Sequence, residues 1–390
     1  MSCFEHDFSK QNRNRTTVFS LLCLMNIAFD AKRLFFNNTG LGNYARWVTE
    51  TYSKYYPTDQ LSLFSPFNAK QSKIDSLIQR ENIKVIQYPN RLGYTRVFGM
   101  GEMLKPYDIF HGLSNELPHI PHFKGKKITT IHDVIFKARP QDYSVIDRFI
   151  YSKKVDYACR HSDIILTISN ISKNDLINYF NADPKKIILT YCTPDSAFKA
   201  PSDTNQLENL KKRYKLPSEY WITVASFHPR KNQESILNAY QYIPENKRIP
   251  LVFTGEGKNK NKLLELSKAK GLEKWVYPVG HIPTEDLIIL LHGSRGLLYP
   301  SLYEGFGLPA LEALQLEVPV IAHRGTCLEE VCGVFGNYVD TLNAEEFAET
   351  LMQLGQSPKP RFAEDPGFLA HLSNFSTEKL VSDLHKIYYK

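Results

Sequence analysis

The sequence predicts an α/β chain of two doubly wound, Rossmann-like domains that face each other across a cleft. Three observations predict it. The chain has 390 residues, more than one ordinary core accommodates. Short apolar runs alternate with helical patterns nearly throughout, which means βαβ units and parallel sheets buried on both faces. The alternation breaks once, at Cys192–Ser202, where Pro194 and Pro201 stand in a stretch without a clear period.

The first series places strands at Asn26–Asp30, Leu61–Ser65, Lys84–Tyr88, Ile109–His111, Lys127–His132, Asp163–Ser169 and Lys186–Tyr191. Helical stretches include Gly42–Tyr55, Ser144–Arg160 and Ser172–Phe180. The second series has strands at Trp221–Ser226, Leu251–Thr254, Val276–Val279, Leu297–Pro300 and Val318–His323. Its helices include Asn232–Tyr242, Lys260–Lys270, Glu285–His292 and Ala344–Leu354. A breaker-rich piece around Pro358, Pro360 and Pro366 precedes a last helix, Thr377–Lys390, expected to pack back on the first domain. The expected divisions are an extension at 1–24, a first domain at 25–195, a second at 203–375 and the returning helix at 376–390. Arg13, Arg15 and the apolar stretch after them mimic a signal peptide. Met25-Asn-Ile-Ala-Phe-Asp30 also reads as a buried first strand, so the expectation is a poorly ordered extension ahead of an internal start at Met25.

Composition is that of a globular protein, with a net charge of +7. Clusters such as Lys211-Lys212-Arg213 read first as solvated helix faces, and after that as affinity for an anionic membrane surface or ligand. No zinc-finger, helix-turn-helix or RNP pattern supports a nucleic-acid partner. Six scattered cysteines, with neither Cys-x-x-Cys nor zinc spacing, fit a reducing, cytoplasmic compartment.

Open α/β sheets bind ligands just outside the carboxyl ends of their strands. The most informative such loop is Ser301-Leu-Tyr-Glu-Gly-Phe-Gly-Leu-Pro-Ala-Leu-Glu312. Gly305 and Gly307 let the backbone approach a ligand, and Pro309 is pre-set for a helix start whose amides favour anions. Glu304 precedes the loop and Glu312 lies about one turn into the helix, so the segment offers amides to a phosphate and carboxylates to hydroxyls. Phe227-His-Pro-Arg-Lys-Asn232 puts Arg230 and Lys231 at another helix start, where cations oppose the dipole unless an anion is expected. In the first domain the candidates are Gly40 and Gly42 in Asn37-Asn-Thr-Gly-Leu-Gly-Asn43, His132 with Asp133, and the His111–Pro118 loop toward an acceptor. Gly255-Glu-Gly257 and Gly280-His-Ile282 follow strands of the second domain; Gly255, His281 and Ile282 line a nucleotide base or are turns.

Assembled, these segments resemble the retaining glycosyltransferases of family 4: Glu304 and Glu312 stand as Glu-x7-Glu within Glu-Gly-Phe-Gly-Leu-Pro, and the other segments follow in the family's order. The resemblance covers about Met25 to Lys390 and implies the two-domain GT-B fold. It implies that Glu304 contacts the donor sugar, Glu312 the ribose, and Lys231 with Arg230 the diphosphate. It implies that the amides of Gly305, Phe306, Gly307 and Leu308 touch sugar and phosphate, that Gly40 and Gly42 approach the phosphates, and that His132 lies near the reacting face. Ser226 stands where many members carry an Arg, which leaves the charge to Lys231 and Arg230. The implied reaction is metal-independent transfer of a hexose with retention, with the nucleotide sugar as substrate and no cofactor. GDP-mannose is favoured over UDP- or dTDP-sugars, with a glycan or lipid-linked acceptor in surface polysaccharide or lipopolysaccharide assembly, at the inner face of the membrane. A sugar-nucleotide epimerase of the same fold and a non-catalytic binding protein are the competing readings.

Overall fold

The computed structural model describes residues 24–37, 40–66, 75–88, 100–198, 204–362 and 364–390. The expected extension lies outside them except for Leu24, as do Asn38, Thr39 and the end of the expected linker. The first sheet contains β1 (Asn26–Asp30), β2 (Gln60–Pro66), β3 (Ile83–Tyr88), β4 (Ile109–Gly112), β5 (Lys126–Ile131), β6 (Ile164–Thr167) and β7 (Ile187–Leu189). All pairs are parallel, in the order β3-β2-β1-β4-β5-β6-β7. The second sheet contains β8 (Trp221–Val224), β9 (Leu251–Thr254), β10 (Val276–Gly280), β11 (Gly296–Tyr299), β12 (Val320–His323) and β13 (Asn337–Val339), parallel in the order β10-β9-β8-β11-β12-β13. The central strands are buried along nearly their whole length, with Asn26 at the start of β1 exposed, as their apolar runs require. In both sheets the strand order reverses beside the first strand, between β1 and β4 and between β8 and β11. The loops carrying Glu304 and Lys231 follow β11 and β8, and so flank the second of these switch points.

Several helices and a strand were not named from the sequence. Thr204–Tyr214 is a helix, and it carries the Lys211-Lys212-Arg213 cluster in its last turn. Pro366 begins the helix Pro366–Ser373 instead of breaking one, because Asp365 caps the amides of Gly367 and Phe368. Leu328–Cys332 is a five-residue helix, and β13 is too short to carry a period. Conversely, the helix expected over Asn232–Tyr242 shrinks to Glu234–Ala239. Pro229 starts a separate single turn, Pro229–Lys231, and Asn232 closes it in the left-handed region at φ 52°.

The helix Thr377–Tyr389 returns to the first sheet and packs on the helix Gly40–Tyr55. The Tyr388 hydroxyl lies 2.7 Å from His111 Nδ1, and its ring packs edge-on against Tyr52. Tyr52 donates to Asp59, and Lys126 donates to the carbonyls of Ile387 and Tyr388 at the helix end. Burial, with His132 nearby, pushes the His111 imidazole down to about 3, so it stays neutral and depends on Tyr388 and on the Thr130 hydroxyl, 2.8 Å from Nε2. Tyr388→Ala is expected to destabilise the protein by about 3–5 kcal/mol through the lost ring. Tyr388→Phe should cost about 1–3 kcal/mol through the unpaired imidazole nitrogen. Thermal melts of both variants check the order.

Candidate active site

The site begins where the loop after β11 meets the turn after β8. Leu302 N donates to the carbonyl of Arg230 (3.0 Å), and Arg230 Nη1 donates to the carbonyl of Tyr303 (2.8 Å). His228 Nδ1 accepts from the Arg230 amide and starts the turn that presents Arg230 and Lys231. Beneath the loop, the buried Cys327 thiol reaches the carbonyls of Glu304 and Phe306, both at 3.2 Å. Gly307 sits at φ 100°, a conformation that L side chains rarely adopt, and from there the chain enters the helix Leu308–Gln315. That helix has no side-chain cap at its start; Pro309 carries no N–H and the Ala310 amide donates to the Gly307 carbonyl (2.9 Å), so the Leu308 amide is the one its first turn offers to a ligand.

Three charges meet in this frame. Glu304, only 8% exposed, binds Lys231 Nζ through Oε1 (2.5 Å) and Arg230 Nη1 through Oε2 (2.8 Å). Ser301 adds a hydroxyl donor to Oε1. Burial alone would push the Glu304 carboxyl up, but Lys231 and Arg230 outweigh it and hold it down at about 2. Lys231 Nζ also donates to the Tyr299 hydroxyl (2.9 Å). Two cations against one carboxylate leave a net positive charge suited to a further anion.

The first domain meets this frame directly. A Cβ on Gly305 would lie 3.0 Å from the His132 carbonyl and 3.2 Å from Asp133 Cβ, so the glycine permits close approach of the two domains. His132 Nε2 lies 3.0 Å from the Leu113 carbonyl, and the Tyr44 ring stands edge-on to the imidazole at 4.6 Å. Burial pushes His132 down to about 4, so it is neutral; donation from Nε2 to Leu113 leaves Nδ1 an acceptor. Burial raises the Asp133 carboxyl, a shift that Arg230 opposes and Glu304 reinforces across the gap. Tyr303 donates to Asp175 of the first domain. Glu330, from the second domain, accepts the Asn170 amide (2.8 Å), the Asn170 side chain (2.6 Å) and the Tyr191 hydroxyl (2.9 Å). A cavity of about 80 Å³ between the domains is lined by Ile171, Tyr303, Glu304 and Cys327, among others.

The remaining predicted residues divide into two groups. Gly40, at the start of its helix, has open space where a Cβ would be, whereas a Cβ on Gly42 would strike the Asn37 carbonyl at 1.9 Å. Gly42 is therefore required by packing of its own helix. The Phe306 ring is buried near Tyr191 and Phe375, and its carbonyl accepts from Cys327. Leu308 is the first residue of its helix, and Glu312 follows one turn on. Gly255 (φ 97°) is crowded by the Ala225 carbonyl, Ile282 is a core residue and His281 is exposed. Sequence reasoning missed Cys327, Tyr303, Asp175, Asn170 and Glu330, which act through tertiary contacts that no local motif marks. Among the described residues no group of three or more His, Cys, Asp or Glu side chains is arranged to hold a metal ion.

Residues 207–366 match the family described as glycosyl transferases group 1. The O-antigen chain mannosyltransferase B of Escherichia coli is 28% identical over 386 residues, covering 93% of this chain and 99% of that protein. The serotype-specific mannosyltransferase WbdA of Escherichia coli is 27% identical over 217 residues, which is 53% of this chain and 26% of the relative. Among solved structures, Anabaena Alr3699/HepE in complex with UDP and glucose superposes with a TM-score of 0.68 at 15% identity, covering 93% of this chain and 99% of that one. The fold is GT-B, and the comparisons support a glycosyltransferase.

Glu312 carries its own prediction. Burial, aided by Asp195, pushes its carboxyl from 4.5 to about 8. The folded protein therefore holds a proton there that the unfolded chain releases. The contribution to stability is full below about 4.5 and is lost as pH rises toward about 8. Thermal melts from pH 5 to 8 are expected to decline less in Glu312→Gln than in the unsubstituted protein; equal declines would contradict the shift.

Proposed function

We propose that this protein is a retaining, metal-independent glycosyltransferase of family 4 that moves mannose from GDP-mannose to a glycan or lipid-linked acceptor in surface polysaccharide assembly. The observation that carries the reading is the Glu304–Lys231–Arg230 cluster, lying beside an uncapped helix start, with the adjoining Gly305 packed against His132 and Asp133 across the domains. In this reading Lys231 and Arg230 stabilise the diphosphate as it leaves, when its charge grows. The amides of Gly305 to Leu308 hold the sugar and phosphates, with Gly40 opposite. Glu304 accepts hydroxyls of the donor sugar, and it stays ionised because its two cations keep it so. His132 offers neutral Nδ1 to the sugar, and Glu312 meets the ribose. The departing phosphate takes the acceptor's proton on the same face, which retains the anomeric configuration. The mannosyl donor is favoured by the names of the two Escherichia coli relatives, mannosyltransferases both. The setting is proposed as the cytoplasmic side, in peripheral contact with an anionic membrane surface.

Lys231→Ala is expected to lower turnover about 10²–10³-fold, as loss of one charge-stabilising donor does elsewhere. Glu304→Gln should lower it comparably while keeping the side chain's volume. Unchanged turnover in either folded variant removes that residue from the mechanism. In a thermal-shift panel of GDP-, UDP- and dTDP-sugars, GDP-mannose is expected to stabilise selectively. EDTA should leave the rate unchanged, and a reproducible metal requirement would contradict the site as drawn.

A further inference from the structure

The loops of the candidate active site follow strands of the second sheet, and the opposite end of that sheet carries an open groove. Pro250 stands immediately before β9 and Trp275 immediately before β10. With Tyr277 in β10, and with Glu245, Asn246 and Lys274 at the rim, they line about 620 Å³. That volume lies within the roughly 300–1,000 Å³ of small-molecule sites. β9 rises about 13 Å over its four residues, so the groove stands about that far from the loops at the other end of the sheet.

Trp275 is not explained by packing. Its Nε1 is withdrawn from water and has no hydrogen-bond partner among the described residues. A buried indole N–H ordinarily finds an acceptor, and an unmet donor destabilises the fold. Phenylalanine or leucine would fill the same space without an orphaned donor. What the indole adds is the broad aromatic surface with which it lines the groove.

We propose that this groove binds a neutral glycan, away from the reacting centre. A pyranose carries C–H groups on its faces and hydroxyls around its edge, so it is matched by aromatic rings flanked by polar groups. Trp275 and Tyr277, both half-buried, supply the rings beside Pro250. Glu245 accepts from hydroxyls, Lys274 donates to them, and the Asn246 amide does both. Lys274 pairs with Glu245, and its Nζ lies 5.7 Å from the centre of the Trp275 ring, so the polar groups are held beside the aromatic one.

Other occupants match the groove less well. One carboxylate and one ammonium cancel, which leaves no net charge to draw a polyanion. β10 is an edge strand, but Pro278 cannot donate to a ladder and the register shifts between Pro278 and Gly280, so this edge resists strand addition by a peptide or a second copy. Six lining residues fall far short of the roughly 20–30 a side in a stable protein interface. That the glycan is the distal part of a growing chain rests on the proposed function, but binding is read without turnover.

The test is calorimetric titration of the full chain with linear mannotetraose, and with mannose alone. The tetrasaccharide is expected to bind about tenfold more tightly, because two rings engage successive sugars. Tyr277→Ala and Trp275→Ala should each weaken its binding about tenfold while turnover on a short acceptor stays unchanged. Where Trp275→Ala fails to melt cooperatively, Tyr277→Ala decides. No binding of mannotetraose at millimolar concentration would overturn the proposal. Equal binding by the folded variants would place the glycan elsewhere and overturn it too, as would light scattering that shows a dimer split by Tyr277→Ala. A chain that binds mannotetraose through these rings yet transfers no sugar would sink the proposed function and leave this groove standing.

Discussion

A buried carboxylate between two cations is the constraint on which the rest of the site depends. Glu304, Lys231 and Arg230 are largely withdrawn from water, and an unpaired charge there would cost several kcal/mol. The cluster therefore dictates its surroundings. The Pro229–Lys231 turn must end in left-handed Asn232 so that both cations point back toward the loop after β11. That loop must cross the turn closely enough to exchange backbone hydrogen bonds. Gly307 then releases the chain into a helix whose Leu308 amide is left for something other than a side chain. A ligand phosphate would join a network whose charges are already oriented, so little reorganisation accompanies its arrival.

The contact between domains follows the same logic of satisfied charge. Glu330 sits at the start of the helix Asn170–Phe180, where an amide and the positive end of the dipole favour a carboxylate. Ser172 at the same helix start donates to the His132 carbonyl, which ties that interdomain anchor to the imidazole beside Gly305. One helix start thus positions both the clasp and the first domain's contribution to the site.

Much of this was legible in the sequence because strands buried on both faces leave unbroken apolar runs, and loops after strands are where α/β sheets bind ligands. Lys231 stands out because a cation at a helix start opposes the dipole, and Glu304 and Gly305 because two glycines before a proline-started helix give amides beside a carboxylate. Gly42 and Ile282 look equivalent to their neighbours in sequence, yet packing explains both: one yields to the Asn37 carbonyl and the other fills the core. Cys327 and Glu330 carry no local signal, since their partners lie 21 to 160 residues away in the chain. Pro366 misled because a proline that ends one helix also begins another when an aspartate precedes it.

The cavity beside Glu304 sets a last condition on how the site works. At about 80 Å³ it is far smaller than the roughly 300 Å³ at the low end of small-molecule pockets. A sugar seated in this cavity would require the domains to part, and the contacts that would yield are those of Glu330 with Asn170 and Tyr303 with Asp175. Each is a polar contact near the cleft, individually worth only about 0.5–3 kcal/mol net of water. The Glu304 cluster, by contrast, lies wholly within the second domain and survives such an opening intact. The fold thereby separates what must move from what must stay ordered: the charged seat is fixed to one sheet, and the wall that closes over it is held by bonds that water can replace.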